Sequence, residues 1–148
     1  MSDLAKWYDL TPSMRILVIQ MTMLLLLLRV GLKIFKLSTI RRWFNWIASR
    51  FPSPTGSENY QESVIWAATV IGRRVLGEGP CLAQALAVQI LLSRKQLHTE
   101  LCIGVAKDGS GNLVAHAWVE KDGQIVIGGS EQELKRYTPL PDLDRKLA

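Results

Sequence analysis

Two residues in this chain have the types and the spacing of a nucleophile and its base. Cys81 directly follows Gly79 and Pro80 and opens a run typical of a helix interior, so it falls in a first helical turn. Unpaired backbone N–H groups and the positive end of the helix dipole favour the thiolate there, and the thiolate is the reactive form. His116 follows about 35 residues later in a strand-like run. The pair fits Cys–His acyl-transfer chemistry, although a lone cysteine or histidine is more often structural.

The residues after His116 predict a β-hairpin, and with it the neighbours of the imidazole. Strands over about 113–120 and 125–129 flank Asp122-Gly123, a strong signal for a tight turn. A turn centred there places residue 129 opposite His116, so that residues 127, 129 and 131 share its face. Glu131 is therefore the carboxylate we expect beside the imidazole. A backbone carbonyl in that role, or a dyad without a third member, are the alternatives.

Two other side chains have both a functional and a structural interpretation. Trp118 shares the face of His116, where it would either shield the imidazole from water or pack in the core. Gln84 lies one turn beyond Cys81, where it would contact substrate or, as we prefer, pack between helices.

The elements that position these residues follow an α+β pattern. A helix over about 58–76, capped by Ser57, leads into the helix that begins at Cys81 and ends between residues 93 and 98. Three strand-like runs follow, over 100–106, 113–120 and 125–129. Because such strands need a helical layer on one side, the sequence predicts a papain-like arrangement, with the nucleophile helix packed on a small antiparallel sheet.

An apolar, basic segment precedes these elements. The boundary at Pro52-Ser53-Pro54 divides the chain into an N-terminal helical element, residues 1–52, and a main domain, residues 53–148. Thr11-Pro12 predicts the start of a helix that runs into the thirties. Its apolar part, 16–28, is shorter than the roughly twenty residues that span a bilayer. Three interpretations are open: a core or partner-binding helix, a membrane-surface helix with basic flanks, and a true span.

A second short helix is predicted over about 37–51, and the basic charge is concentrated around it. Ile40, Phe44 and Ile47 recur on its packing side, while Arg41, Arg42 and Arg50 are expected to face out. Residues 1–52 carry eight Lys/Arg and two Asp/Glu, a balance of +6, whereas the remainder carries ten and eleven, a balance of −1. Peripheral membrane contact through residues 13–50 fits this charge. No nucleic-acid-binding motif occurs, so we expect no nucleic-acid partner.

The cysteine count and the N-terminus favour the cytoplasm. The chain has two cysteines, Cys81 and Cys102. Two are too few for a disulfide framework, and their spacing is not that of a zinc site. Cys102 is expected to be buried and inert. The apolar run starts too far into the chain for a cleavable signal peptide. We therefore expect a cytoplasmic protein with no metal and no cofactor, in which membrane association would come from the N-terminal helix.

Four short blocks resemble a known family. The chain is similar to the transglutaminase-like proteins of lasso-peptide biosynthesis, the standalone B proteins that cut the leader from a precursor. The resemblance covers roughly residues 60–140 and is carried by residues 81–86 (CLAQAL), 101–105 (LCIGV), 116–120 (HAWVE) and 127–129 (IGG). It implies a papain/transglutaminase-like fold with Cys81 as nucleophile and His116 as base. The family's triad ends in an aspartate about a dozen residues after the histidine, where this chain has Ile127, Gly128 and Gly129.

The resemblance also implies a pathway and partners. It implies a cysteine protease that acts as leader peptidase on a ribosomally synthesised precursor peptide in antibiotic (RiPP) biosynthesis. A separate leader-binding protein would deliver the precursor, and a lasso cyclase, which would be the user of ATP, would act on the cut product. Two alternatives are a transglutaminase-like acyl transferase with an amine acceptor and a non-catalytic membrane-associated adaptor, which would be indifferent to loss of the Cys81 thiol.

Overall fold

The structure is a computed structural model that describes residues 10–51, 53–77 and 81–141. Its elements are the helices α1 (Pro12–Ile34), α2 (Leu37–Arg50), α3 (Glu58–Leu76), α4 (Cys81–Arg94) and α5 (Glu131–Leu134), and the strands β1 (Glu100–Lys107), β2 (Leu113–Lys121), β3 (Gln124–Ile127) and β4 (Thr138–Pro139). The architecture is α+β, with four antiparallel strands in the order β3-β2-β1-β4.

The helices begin where their capping residues predict. The Thr11 hydroxyl accepts a hydrogen bond from the Met14 N–H, and Pro12 occupies the first helical position of α1. The Ser57 hydroxyl accepts from the Tyr60 N–H in the same way and starts α3. The predicted place of Pro80 before α4 lies outside the described residues.

The β2–β3 hairpin departs from the expected register. Asp122 and Gly123 form the predicted turn, with positive φ values of 52° and 77°. A β-bulge between Val119 and Glu120 then shifts the pairing by one residue, so that Val119 lies opposite Ile127. The predicted pairing of residue 129 with His116 is therefore wrong, and β3 ends at residue 127 rather than 129. A bulge depends on local backbone geometry that an alternating sequence does not display.

The core lies between the helices and one face of the sheet. Alternate residues of β2, Ala117 and Val119, are buried against residues of α4 such as Ala83 and Leu86. Helix α1 shares this core through one of its faces, and Met21 and Leu25 are fully buried. The N-terminal segment thus contributes to the same core as the nucleophile helix, while the proposed division of the chain at residue 52 stays a prediction.

One side chain of α2 lies opposite to its predicted side. Arg41 was expected to face solvent, but it is only 9% exposed, next to the buried Ile40, and lines a cavity between α1, α2 and α4. The outward expectation holds for Arg42 and Arg50, which are exposed. The aliphatic stem of an arginine can occupy apolar surface, so a charge alone does not fix a residue's side of a helix.

Candidate active site

Cys81 occupies the first turn of α4 at one end of the molecule's core. The helix is held in place by a nearly continuous buried surface that includes Ala85, Leu86 and Val88. Cys81 itself is half-buried and borders the core. The thiol is thus placed where backbone N–H groups have no helical acceptor and where the helix dipole is positive.

His116 lies on β2 just beyond the end of β3. Pairing between these strands ends at Val119 and Ile127, so the sheet is open beside the histidine. On its other side, residue 116 pairs with Gly104 of β1. The neighbours Ala117 and Val119 point into the helical core, whereas His116 and Trp118 share the other face. The open edge leaves the half-buried imidazole accessible.

A backbone carbonyl holds the imidazole. The Nε2 atom of His116 is hydrogen-bonded to the carbonyl oxygen of Gly128. Since a carbonyl can only accept, Nε2 carries the proton, and Nδ1 is left as the basic nitrogen of the neutral ring. Gly128 stands twelve residues after the histidine.

Only glycine fits at position 128. Its φ is 114°, a conformation that side chains rarely adopt, and a Cβ built there would lie 2.5 Å from the Cβ of Trp118. Gly129 follows with a φ of 131°. These two glycines turn the chain out of β3 directly after Ile127, and the turn aims the Gly128 carbonyl at the imidazole.

Two aromatic rings flank the histidine. Tyr137 stacks on the imidazole with ring centroids 5.3 Å apart, and Trp118 lies 6.5 Å away in a nearly parallel orientation. Trp118 is buried, and its indole N–H donates to a Glu120 carboxylate oxygen at 2.7 Å. The rings restrict the imidazole to the plane in which it meets the Gly128 carbonyl.

Cys81 and His116 line one cleft of about 630 Å³. Its walls come from α3, the start of α4, the end of β3 and the segment that follows. Charged and polar side chains on these walls include Arg73, Gln84, Glu133, Arg136 and Tyr137. The Arg136 guanidinium lies over the Tyr137 ring, 4.9 Å from its centroid, and donates to the Tyr137 hydroxyl at 2.9 Å. A volume of this size fits a peptide segment or a small acyl donor.

Among the described residues, Glu133 is the acidic side chain that lines the cleft. Glu131 is exposed in the first turn of α5, outside the lining of the cleft, so the orienting role proposed for it stays a prediction without a contact to support it. Glu133 accepts hydrogen bonds from the Ser130 N–H at 2.8 Å and from the Ser130 hydroxyl at 3.0 Å. These bonds, with a smaller contribution from the charges of Arg136 and His116, lower the pKa of the Glu133 carboxyl.

Several lining residues are not predicted from the sequence. Gly128 acts through its backbone, which side-chain patterns do not reveal, and Tyr137 follows a helix too short to show periodicity. A usable signal was present for α5, because Ser130 and Glu133 form a capping box with the S-x-x-E spacing. Gln84, by contrast, packs as we preferred: its side-chain amide donates to the Ala68 carbonyl of α3 at 2.9 Å.

The described residues include no cluster of candidate metal ligands. Within residues 10–51, 53–77 and 81–141, no group of three or more His, Cys, Asp or Glu side chains is arranged to share an ion. The described chemistry of the cleft is that of a thiol, an imidazole and hydrogen-bonding groups.

A comparison with known proteins identifies the class. The model of the transglutaminase-like superfamily matches residues 23–142, so the chain belongs to that superfamily, which includes cysteine proteases and acyltransferases. The match begins within α1 and ends after β4, and it includes both Cys81 and His116. No curated protein and no solved structure matches the chain.

Proposed function

We propose that this protein is a cysteine peptidase that removes the leader from a ribosomally synthesised lasso precursor peptide. The observation that carries the catalytic part is the convergence of Cys81 and His116 on one cleft, with Nε2 of the imidazole held by the Gly128 carbonyl. The resemblance of the blocks at 81–86, 101–105, 116–120 and 127–129 supports the lasso substrate. A separate leader-binding protein and a lasso cyclase are the partners in this proposal.

The chemistry follows from the two groups. Nδ1 of His116 takes the thiol proton, and the Cys81 thiolate attacks the scissile carbonyl carbon. The developing oxyanion lies at the start of α4, where the Cys81 N–H is one of the unpaired helix donors. The imidazolium then gives its proton to the leaving amine as the C–N bond breaks and a thioester forms. Water, deprotonated by the same nitrogen, hydrolyses the thioester and restores the thiol.

The Gly128 carbonyl takes the part of the third catalytic member in this proposal. It fixes the tautomer and the ring orientation, which is the positioning role of the acid in a triad. A neutral carbonyl stabilises an imidazolium less than a carboxylate does, because charge-assisted hydrogen bonds are about twice as strong. The flanking rings of Trp118 and Tyr137 supplement it by restricting rotation of the imidazole.

The test is cleavage of the cognate precursor, in the presence of its leader-binding protein, followed by mass spectrometry. The wild-type protein should release a leader-sized fragment. Cys81→Ala and His116→Ala should each lower the rate by at least about a thousandfold, since members of such a unit fail together. Cys102→Ala and His98→Ala are matched controls. Cys102 is not part of the cleft lining, and His98 is exposed in the segment between α4 and β1.

The outcomes separate the three function classes. A leader fragment from wild type, absent from Cys81→Ala, supports the peptidase. A product whose mass shows an amine joined to the acyl group, with release of ammonia, would instead establish an acyl transferase. Cleavage by Cys81→Ala or His116→Ala at the wild-type rate would refute the proposed pair. An intact precursor that stays bound to the wild-type protein and to Cys81→Ala alike would favour the adaptor.

A further inference from the structure

Helix α1 exposes an apolar stripe on the side opposite to its buried face. On a helical wheel the exposed residues fall within an arc of about 100°, and the buried ones within a similar arc on the far side. The exposed set is Ile16, Ile19, Met23, Leu26, Leu27, Val30 and Ile34. From Ile16 to Ile34 the stripe is about 27 Å long at the helical rise.

Helix α2 continues this surface with aromatic side chains. Trp43 and Trp46 are 68% and 60% exposed and lie three residues apart on one side of the helix, and Phe51 follows at 64%. Leu27 and Phe35 line a groove together with Trp43, so the stripe of α1 and the tryptophans of α2 adjoin. The groove has a volume of about 430 Å³. We call the exposed side chains of α1, Phe35, Trp43, Trp46 and Phe51 the apolar plate.

The segment that carries the apolar plate has charges of one sign. The segment 10–51 has no aspartate or glutamate, and its basic residues are Arg15, Arg29, Lys33, Lys36, Arg41, Arg42 and Arg50. On the helical wheel Lys33 borders one edge of the stripe of α1. Arg29 lies further round the helix, and its guanidinium donates to the Val75 carbonyl of α3. Arg50 falls between Trp43 and Trp46 on the outward side of α2. Lys33, Lys36, Arg42 and Arg50 are all exposed.

We propose that the apolar plate binds the surface of a membrane that contains anionic lipid. Exposed tryptophans and aliphatic side chains would enter the boundary between headgroups and acyl chains, and the basic border would contact the anionic headgroups. A protein partner would have to present an apolar face with an entirely acidic border, whereas an anionic bilayer presents both features everywhere. The charge complementarity therefore selects the lipid surface.

The geometry favours lying on the membrane over crossing it. By length and composition α1 could span a bilayer, since it has 23 residues and a mean hydropathy of 1.9 over its most apolar window. However, Met21 and Leu25 on its other face are fully buried in the core that also holds α4. A span would remove this face from the core, whereas surface binding uses only the side chains that are already exposed.

The experiment is sedimentation of the full chain with vesicles of phosphatidylcholine, with and without a one-third share of phosphatidylglycerol. Binding is expected to the mixed vesicles, to weaken as salt is raised, and to be at least about tenfold weaker on phosphatidylcholine alone. Trp43→Ser combined with Trp46→Ser should weaken binding to the mixed vesicles by about tenfold. Arg42→Gln combined with Arg50→Gln should do the same and reduce the salt dependence.

Matched controls use the same residue types elsewhere. Trp66→Ser changes an exposed tryptophan of α3, and Lys107→Gln changes an exposed charge at the end of β1; both should bind like wild type. All variants should keep their helical circular dichroism and their cleavage rate, because none of these residues lines the cleft.

Four results would overturn the proposal. The first is absence of binding to the mixed vesicles. The second is a loss of vesicle binding in the control variants equal to that in the double variants. The third is resistance of the membrane-bound protein to alkaline extraction, which would show a span. The fourth is a dimer, or a complex with the leader-binding protein, that forms through Trp43 and Trp46 while vesicles are not bound.

Discussion

At the scale of single residues, the site depends on two glycines that give space to other groups. Gly128 brings its carbonyl to the imidazole because no side chain obstructs its approach to Trp118. Gly104 lies opposite His116 on β1, and a Cβ there would come within 2.9 Å of both the Trp118 ring and the Tyr137 Cβ. The absence of a side chain at 104 thus allows both rings to close around the imidazole.

The substitution Gly104→Ala tests this arrangement. The added methyl group must displace Trp118 or Tyr137, so we expect a loss of about 1–3 kcal/mol in the free energy of unfolding. We also expect a fall of about tenfold in cleavage rate, as the stacking on His116 is lost. Chemical denaturation and the precursor assay measure the two effects. Gly109→Ala is the control, since a Cβ there meets nothing within 4 Å, and its behaving as badly as Gly104→Ala would contradict the explanation.

At the scale of elements, the short helix α5 stabilises the turn that carries Gly128. Ser130 and Glu133 form its capping box. A Cβ built on Gly129 would lie 3.3 Å from a carboxylate oxygen of Glu133, so the turn and the helix are closely packed. The hydrogen bonds from Ser130 lower the Glu133 pKa. The folded state therefore favours the ionised carboxylate, so its contribution is complete above the ordinary carboxyl range and is lost as the pH falls through the lowered pKa.

We accordingly predict a pH-dependent effect of Glu133→Ala. At neutral pH the variant should have a slightly lower Tm than wild type, and this difference should shrink in acid, where the wild-type carboxylate is protonated as well. Cleavage should fall far less than in Cys81→Ala, because Glu133 acts on His116 through the turn and through a minor charge interaction, and takes no part in the bond-making steps. Glu131→Ala, on the same helix but outside the cleft lining, should leave both Tm and activity near wild type. An activity loss in Glu131→Ala equal to that in Cys81→Ala would reinstate Glu131 as the orienting acid.

The sequence predicts these elements where capping and periodicity are local. Thr11, Ser57 and the Asp122-Gly123 turn fall where their chemistry places them, because each acts on backbone groups within a few residues. The β-bulge at Val119 and Glu120 depends on how two strands meet, and it moves Ile127, the last residue of β3, by one position relative to β2. A hairpin without the bulge predicts Glu131 beside the histidine, whereas the structure places the Gly128 carbonyl there.

At the scale of the whole molecule, Cys81 and His116 were predictable as a pair and their cleft was not. Their residue types and local elements are visible in the sequence, but the walls of the cleft come from α3, α4, β3 and the segment around Tyr137. The same limit applies to α1. A run of leucines shows that the helix is apolar, whereas only the packing shows that one face is in the core and the other is exposed.

The two faces of α1 should be separable by substitutions two residues apart. Leu25 is fully buried in the core, so Leu25→Ala should cost about 2–5 kcal/mol of unfolding free energy, measured by denaturant titration. Leu27 is 64% exposed in the apolar plate, so Leu27→Ser should change stability by no more than about 0.5 kcal/mol and should weaken binding to anionic vesicles instead. A stable Leu25→Ala protein would show that α1 is dispensable to the core. Equal destabilisation by Leu27→Ser would show that the apolar plate is buried in solution. If both expectations hold, one helix serves the fold with one face and the membrane with the other.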